Sequence, residues 1–295
     1  WGSARLQSHG AVPGLGILGW GIDRCALSQA MRKRAEALGV AIISARVASI
    51  QGHPGHWQLS LSTSSGLAPI PASHVIDATG RPAHISRRRG ARMCHGPDLV
   101  AILWNVPASD QARMTAEAVP DGWWYAVTGP SATTVGFVTS PANARQIAET
   151  PLAAHLEQAR SLRHLALPHK RAAGEIVDCR GSVLDHGCDA GWSAAGDALA
   201  AFDPISSQGL FNALSGGFFA GHAAADAVLG DAEAPLVYAA LAARTAERTH
   251  AATHLQYAAL PFDTPFWHNR AGAPPQMSPP YAPPPAVHAV RNTSA

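Results

Sequence analysis

The residues best suited to chemistry lie in one stretch, where Gly196 and Asp197 follow the apolar run Trp192-Ser193-Ala194-Ala195 and precede Asp203, Pro204, Gly209 and Leu210. A glycine that ends an apolar strand lets a ligand approach the main chain, and the carboxylate after it can accept from sugar or polyol hydroxyls. Pro204 and Gly209 shape a loop whose free N–H groups open the next helix, and such a helix end stabilises negative charge. Read without a ligand, the stretch is a strand, a loop and a helix with a capping aspartate.

Two further segments carry chemistry of a compatible kind. Val75-Ile76-Asp77-Ala78-Thr79-Gly80-Arg81 reads as a strand stopped by a glycine that tolerates positive φ. Arg24, in Ile22-Asp23-Arg24 with Leu27 beyond it, offers charge-assisted hydrogen bonds to a phosphate group. Taken alone, Arg24 is a surface charge in the first turn of a helix, where the helix dipole slightly disfavours it. A G-x-G-x-x-G stands at Gly14, Gly16 and Gly19, but Pro13 precedes it and Trp20-Gly21-Ile22 separate it from the helix that should open there. A working dinucleotide fingerprint needs a buried strand before it and a helix directly after it, so this run reads as a Gly-rich lead-in.

Other chemistries find no support. The fifteen histidines include His164, His169, His186 and His222, none at triad or metal-ligand spacing, and no G-x-S-x-G occurs. The four cysteines, Cys25, Cys94, Cys179 and Cys188, form no C-x-x-C, which points to a reduced, cytoplasmic thiol set with neither disulfide framework nor zinc. A net charge of +2 with 14% charged residues gives no basic stripe for nucleic acid. The most apolar segment, residues 210–229, is interrupted by Gly216, Gly217, Gly221 and His222, so no membrane span is expected. A hydrophobic content of 47% over 295 residues is ample for a buried core.

The elements that must position these residues follow from periodicity. Leu27, Ala30, Met31, Arg34 and Leu38 recur at helical steps, which predicts an amphipathic helix over 23–38 with Asp23 as N-cap and Gly39 as stop. Short β-type runs follow at 40–43, 46–50, 56–61 and 74–77, with a turn at 64–66. Strands at 100–106, 123–127 and 133–139 predict an antiparallel sheet, the last two joined through Gly129-Pro130-Ser131. A helix is expected at 151–163, a strand at 175–184, and helices at 207–229 and 235–255. From residue 271 the Pro-rich composition reads as an extended tail.

In this order the motifs resemble those of the p-hydroxybenzoate-hydroxylase-like FAD-dependent oxidoreductases. Gly196, Asp197, Asp203, Pro204, Gly209 and Leu210 stand in register with that superfamily's GD motif, Asp77 to Gly80 resembles its A-T-G turn, and Arg24 with Leu27 its R-x-x-L helix. The resemblance implies an α/β (α+β) fold, in which a Rossmann-like FAD/NAD(P)-binding domain, incomplete at the N-terminus, is interleaved with an antiparallel-sheet substrate domain. The opening βαβ unit with its Gly-rich turn is expected ahead of Trp1. Gly122-Trp123-Trp124-Tyr125 and Pro265-Phe266-Trp267 look most like the branch near the flavin-dependent halogenases. That branch's W-x-W-x-I-P would fall on Trp123, Tyr125, Val127 and Thr128, losing its second tryptophan and its proline, so the expectation is an FAD-dependent oxidoreductase or monooxygenase and not a halogenase.

The resemblance further implies FAD held by Arg24, Thr79, Gly80, Gly196, Asp197, Pro204, Gly209 and Leu210, with the helix start beyond Gly209 facing the charge on N1 and C2=O of a reduced flavin. NAD(P)H is the implied reductant, and the substrate a small or amino-acid-derived molecule beside Trp104, Trp123 and Tyr125. Strand alternation puts Trp123 and Tyr125 on one face and Trp124 on the other. The domain boundaries expected are 1–92 and 175–232 for the FAD-binding part, 93–174 for the substrate sheet, 233–270 for a C-terminal helical segment and 271–295 for the tail. The alternative is an inactive or truncated flavoprotein-like chain, or a maturation or binding partner on the same scaffold, with a protein as its partner.

Overall fold

Residues 46–63 and 66–72 form a small antiparallel meander whose middle strand buries Trp57 and Leu61. The computed structural model describes residues 22–63, 66–108, 114–148, 155–156, 159–162 and 174–271. Arg46–His53 (β1), His56–Thr63 (β2) and Gly66–Ala72 (β3) pair antiparallel in the order β1-β2-β3. β3 is not evident from sequence because it carries Pro69 and Pro71. Both fit because β3 is an edge strand and prolines spaced by two present their missing N–H groups to the same side.

Ahead of the meander, Arg24–Ala37 (α1) is capped as expected, Asp23 Oδ1 accepting from the amides of Cys25 at 2.9 Å and Ala26 at 3.0 Å. No residue of α1 is buried, and Met31 and Leu38 of its apolar stripe lie open. The run 40–43 forms no strand, its Val40, Ile42 and Ile43 side chains being exposed.

Val75–Asp77 (β4) leads into a short helix, His84–Arg88 (α2), and then Met93–His95 (β5). The middle of the chain builds a five-stranded antiparallel sheet from Val100–Pro107 (β6), Met114–Val119 (β7), Gly122–Thr128 (β8) and Ala132–Thr139 (β9), completed by Glu175–Asp178 (β10) in the order β10-β6-β9-β8-β7. Pro141–Ala148 (α3) follows β9. Period-two alternation gives this sheet two buried faces. One packs Ile102, Trp104, Trp124, Val135 and Phe137 against Ala144 and Ile147 of α3. The other presents Leu99, Ala101, Trp123 and Val138 to Tyr257, Phe266 and Trp267 from the end of the described chain.

The strand expected over 175–184 is two strands in two sheets. β10 ends at Asp178, and Ser182–Leu184 (β11) pairs instead with β5 on one side and Ala200–Ala201 (β14) on the other. The break lies at Arg180, whose guanidinium reaches Asp98 and Asp178 at 3.0 Å each. Cys188–Asp189 (β12) turns back into Trp192–Ala194 (β13), and β13 runs parallel to β4. Gly209–Val228 (α4), Ala234–Ala258 (α5) and Pro265–Ala271 (α6) close the described chain. The Gly14–Gly19 run and residues 272–295 of the expected tail lie outside the described residues, as does most of the helix expected over 151–163. Among the described residues no helix is long and apolar enough to cross a membrane.

Candidate functional site

The Asp77-Ala78-Thr79-Gly80 turn is built around one fully buried carboxylate. Asp77 Oδ1 accepts from the Thr79 amide at 3.0 Å and its hydroxyl at 2.6 Å. Oδ2 accepts from the amides of Ile85 (3.0 Å) and Ser86 (2.7 Å) and from the Ser86 hydroxyl (2.6 Å), which caps α2. Burial pushes this carboxyl up, but the Ser86 and Thr79 hydrogen bonds outweigh it and hold Asp77 below the usual carboxylate range. Gly80 takes φ +74°, a left-handed conformation natural only to glycine, and its carbonyl accepts from the Ala83 amide at 2.9 Å. Thr79 thus uses its hydroxyl proton and its amide inside the turn, and accepts from the His84 amide at 2.8 Å.

The second motif arrives beside the first through the parallel β4–β13 pair, Ala194 opposite Asp77 and the Ala195 amide donating to the Asp77 carbonyl at 2.9 Å. Gly196 then leaves the sheet at φ +59°. Small residues of α4 sit close behind it: a Cβ placed on Gly216 would lie 3.7 Å from the Gly196 nitrogen. Asp197, half-buried in the 3-10 turn Gly196–Ala198, has no hydrogen-bond or ion-pair partner for its carboxylate among the described residues.

Asp203 caps the next turn, Pro204–Ser206, accepting from the Ile205 amide at 3.0 Å. Ser207 at φ +53° redirects the chain, and α4 begins at Gly209 with no side chain capping its first amides. Among the described residues a Cβ on Gly209 would meet nothing within 4 Å, which leaves the approach to that helix start open on their side. Leu210 stands in the first turn, 37% exposed.

Arg24 is exposed at the start of α1 and close enough to act on Tyr125 of β8. Burial raises the Tyr125 phenol above its ordinary value, the Cys179 thiol adds to that, and the Arg24 charge offsets part of it. Arg81 donates to the Arg180 carbonyl at 2.6 Å, and its charge acts on both Cys179 and Asp203. Gly80, Gly196 and Asp197 are therefore joined through the β4–β13 pair, while the Arg81 charge acts on both Cys179 and Asp203 and the Arg24 charge acts on Tyr125.

The three aromatic residues expected beside a substrate do not share a face. Trp104 sits in the core with Trp124, rings 6.1 Å apart, on the side of α3. Trp123 and Tyr125 share the opposite face, rings 5.7 Å apart. Trp123 is buried, and its Nε1 donates to the Tyr257 hydroxyl at 3.3 Å. Only Tyr125 of the three remains partly open. The residues missed from sequence are Tyr257 and Arg270, which reach Asp203 from α5 and α6; Tyr257 stands in no motif, and Arg270 follows Pro265-Phe266-Trp267 without being part of it.

With this geometry in place, comparison with known proteins decides the family. The family model described as tryptophan halogenase matches residues 14–280. The chain belongs to the tryptophan halogenase family. The match over nearly the whole chain bears out the placement beside the flavin-dependent halogenases, even though Tyr125 and Thr128 stand where that branch's second tryptophan and proline would fall. Among solved structures, the flavin-dependent halogenase CmlS superposes with a TM-score of 0.75 at 18% identity, covering 88% of this chain and 51% of CmlS. The myxobacterial chondrochloren halogenase CndH gives 0.76 at 17%, covering 88% and 64%. The peptidyl tryptophan dihydroxylase QhpG gives 0.70 at 21%, covering 87% and 61%. These likenesses show a shared FAD-binding fold with antiparallel sheets, and the chain spans about half to two thirds of the length of those proteins. No curated protein sequence matches it.

Proposed function

We propose that this member of the tryptophan halogenase family is the flavin-cradling part of an FAD-dependent oxidoreductase that halogenates a small aromatic or amino-acid-derived substrate, with NAD(P)H as the ultimate reductant. The observation that carries this reading is the Asp197 carboxylate, without a partner among the described residues, in a turn that packs on α4, the helix whose first amides no side chain caps. The donor set suits a flavin. Gly80 and Gly196 bring bare main chain to the site, and Asp197 accepts from ribityl hydroxyls. The α4 amides, beginning at Gly209 and Leu210 beyond the turn that Pro204 opens, stabilise negative charge on the pyrimidine edge. Arg24 pairs with the pyrophosphate. Thr79 holds the Gly80 turn in shape, and Tyr125 is the aromatic group left to meet a substrate. When bound, FAD supplies the electron transfer and oxygen activation, while the protein supplies placement and electrostatics. In this reading the FAD-binding part comprises segments 1–92 and 175–232, with 93–174 as the substrate sheet and 233–270 as the C-terminal helical segment.

Halogenation is preferred to hydroxylation on family membership. A second reading, a flavin-binding chain without turnover, draws on one specific observation: the sheet face expected to meet a substrate is filled by Tyr257, Phe266 and Trp267. Purifying the chain with excess FAD and recording its visible spectrum, then supplying NAD(P)H, a flavin reductase, halide and free tryptophan or a tryptophan-containing peptide, separates the readings. A yellow protein that yields a halogenated product supports the proposal. A yellow protein that leaves substrate unchanged supports the second reading, and a colourless one contradicts both.

A further inference from the structure

α5 and α6 each send one buried polar side chain to the same carboxylate. Tyr257, in the last turn of α5, is 2% exposed, and its hydroxyl lies 3.1 Å and 3.0 Å from the two oxygens of Asp203. With a single proton to share, it binds the carboxylate as a pair of oxygens and fixes the plane of the group. The same hydroxyl accepts from Trp123 Nε1 at 3.3 Å, so its orientation is set from the antiparallel sheet. Arg270 of α6, with a side chain 6% exposed, places Nη1 3.9 Å from Asp203 Oδ2. Its guanidinium lies over the rings of Phe266 at 5.0 Å and Tyr257 at 5.7 Å and donates through Nη2 to the Asp98 carbonyl.

Asp203 is the point from which the loop hangs. Its Oδ1 accepts from the Ile205 amide at 3.0 Å, and its carbonyl accepts from the Ser206 amide at 3.0 Å and hydroxyl at 2.8 Å. A carboxylate this far from water keeps its charge and orientation only if counter-charge and donors are built in around it. α6 is itself anchored to the β7–β8 turn, Trp267 Nε1 donating to the Val119 carbonyl at 3.0 Å and the Thr264 hydroxyl to the Pro120 carbonyl at 2.6 Å.

We propose that Tyr257 and Arg270 are positioning residues that hold loop 204–209, and with it the open start of α4, in the shape that receives a ligand. The inference rests on reading that loop as the flavin-facing one, and under it the C-terminal helices carry the position of the antiparallel sheet to the loop. A tyrosine that merely filled the core would affect the whole fold alike, whereas a positioning tyrosine affects the loop first.

The test is amide hydrogen exchange on the intact chain without flavin, comparing Tyr257→Phe with the parent, followed by titration of both with FAD. Exchange at the amides of residues 205–208 is expected to quicken by about ten-fold or more while β8, β9 and the middle of α4 stay as they were. FAD affinity is expected to fall by a similar factor. Local quickening in a chain whose parent binds no FAD upholds the positioning role and removes the flavin reading. Unchanged exchange at 205–208 overturns the positioning role, whatever FAD does. If Tyr257→Phe does not fold, Arg270→Met, which keeps the stem on the two rings and removes the charge, is read the same way. If neither folds, native-state exchange of the parent decides: residues 205–208 and the last turn of α5 must open as one unit, and independent opening overturns the proposal.

Discussion

The Ala195 amide donates to the Asp77 carbonyl at 2.9 Å, and through that bond two motifs from distant parts of the chain come to lie side by side. The Asp77 main chain receives the strand that delivers Gly196 and Asp197, while its carboxylate organises Thr79, Gly80 and the start of α2. One residue therefore sets the relative position of both turns.

Replacing Asp77 with alanine strands five donors around a buried site and is expected to destabilise the chain by roughly 2–4 kcal/mol. Urea unfolding followed by circular dichroism measures this. A loss below about 0.5 kcal/mol would mean that the turn does not depend on the carboxylate.

The same residue gives stability a direction with pH. Because folding lowers the Asp77 pKa, its contribution is fully present above the unfolded value of about 4 and is lost as pH falls through the folded value. The parent should lose stability to urea on acidification below about pH 4 more steeply than Asp77→Asn, which has no carboxyl to titrate. Identical slopes for the two proteins would contradict this.

Tyr125 rests on Gly136 of the neighbouring strand, where an added Cβ would lie 2.2 Å from its ring. Gly136→Ala must displace the phenol, at a cost of about 1–3 kcal/mol. Thermal unfolding should show the loss, and near-UV circular dichroism should change as the Tyr125–Trp123 pair opens. An unaltered near-UV spectrum would show that the ring is not held there.

The cysteines divide by burial. Cys25 and Cys94 are exposed, whereas burial pushes the thiols of Cys179 up to about 12 and Cys188 up to about 11. Ellman's reagent at neutral pH should titrate two thiols quickly in the native chain and all four in denaturant, because the thiolate is the reactive form. Fast reaction of a third thiol would place Cys179 or Cys188 in contact with solvent.

Much of the site was legible because its parts are local. The D-A-T-G turn and the G-D-to-Gly209 stretch announce themselves through glycines and aspartates at fixed spacing, and both turns take the positive φ their glycines suggest. What was hidden depends on partners remote in sequence. β3 was masked by prolines that only an edge strand accepts, and 175–184 looked continuous because nothing local shows that Asp178 and Ser182 serve different sheets. Trp104 could be assigned to a face only once its pairing with Val135 was known, and Tyr257 meets Asp203 across a tertiary contact that no periodicity encodes. The apolar stripe of α1 was plain in sequence, yet among the described residues it packs no buried side chain, so periodicity identified the helix and not its contacts.

Whether Asp197 and the start of α4 hold a flavin is tested most directly by titrating the chain with FAD and with FMN and following flavin fluorescence. Asp197→Ala should weaken both ligands by about 1–3 kcal/mol, roughly a ten- to hundred-fold rise in Kd, because FMN shares the ribityl chain that the carboxylate would meet. Equal affinity of parent and variant for both would show that the carboxylate faces no flavin, and would contradict the flavin site proposed around it.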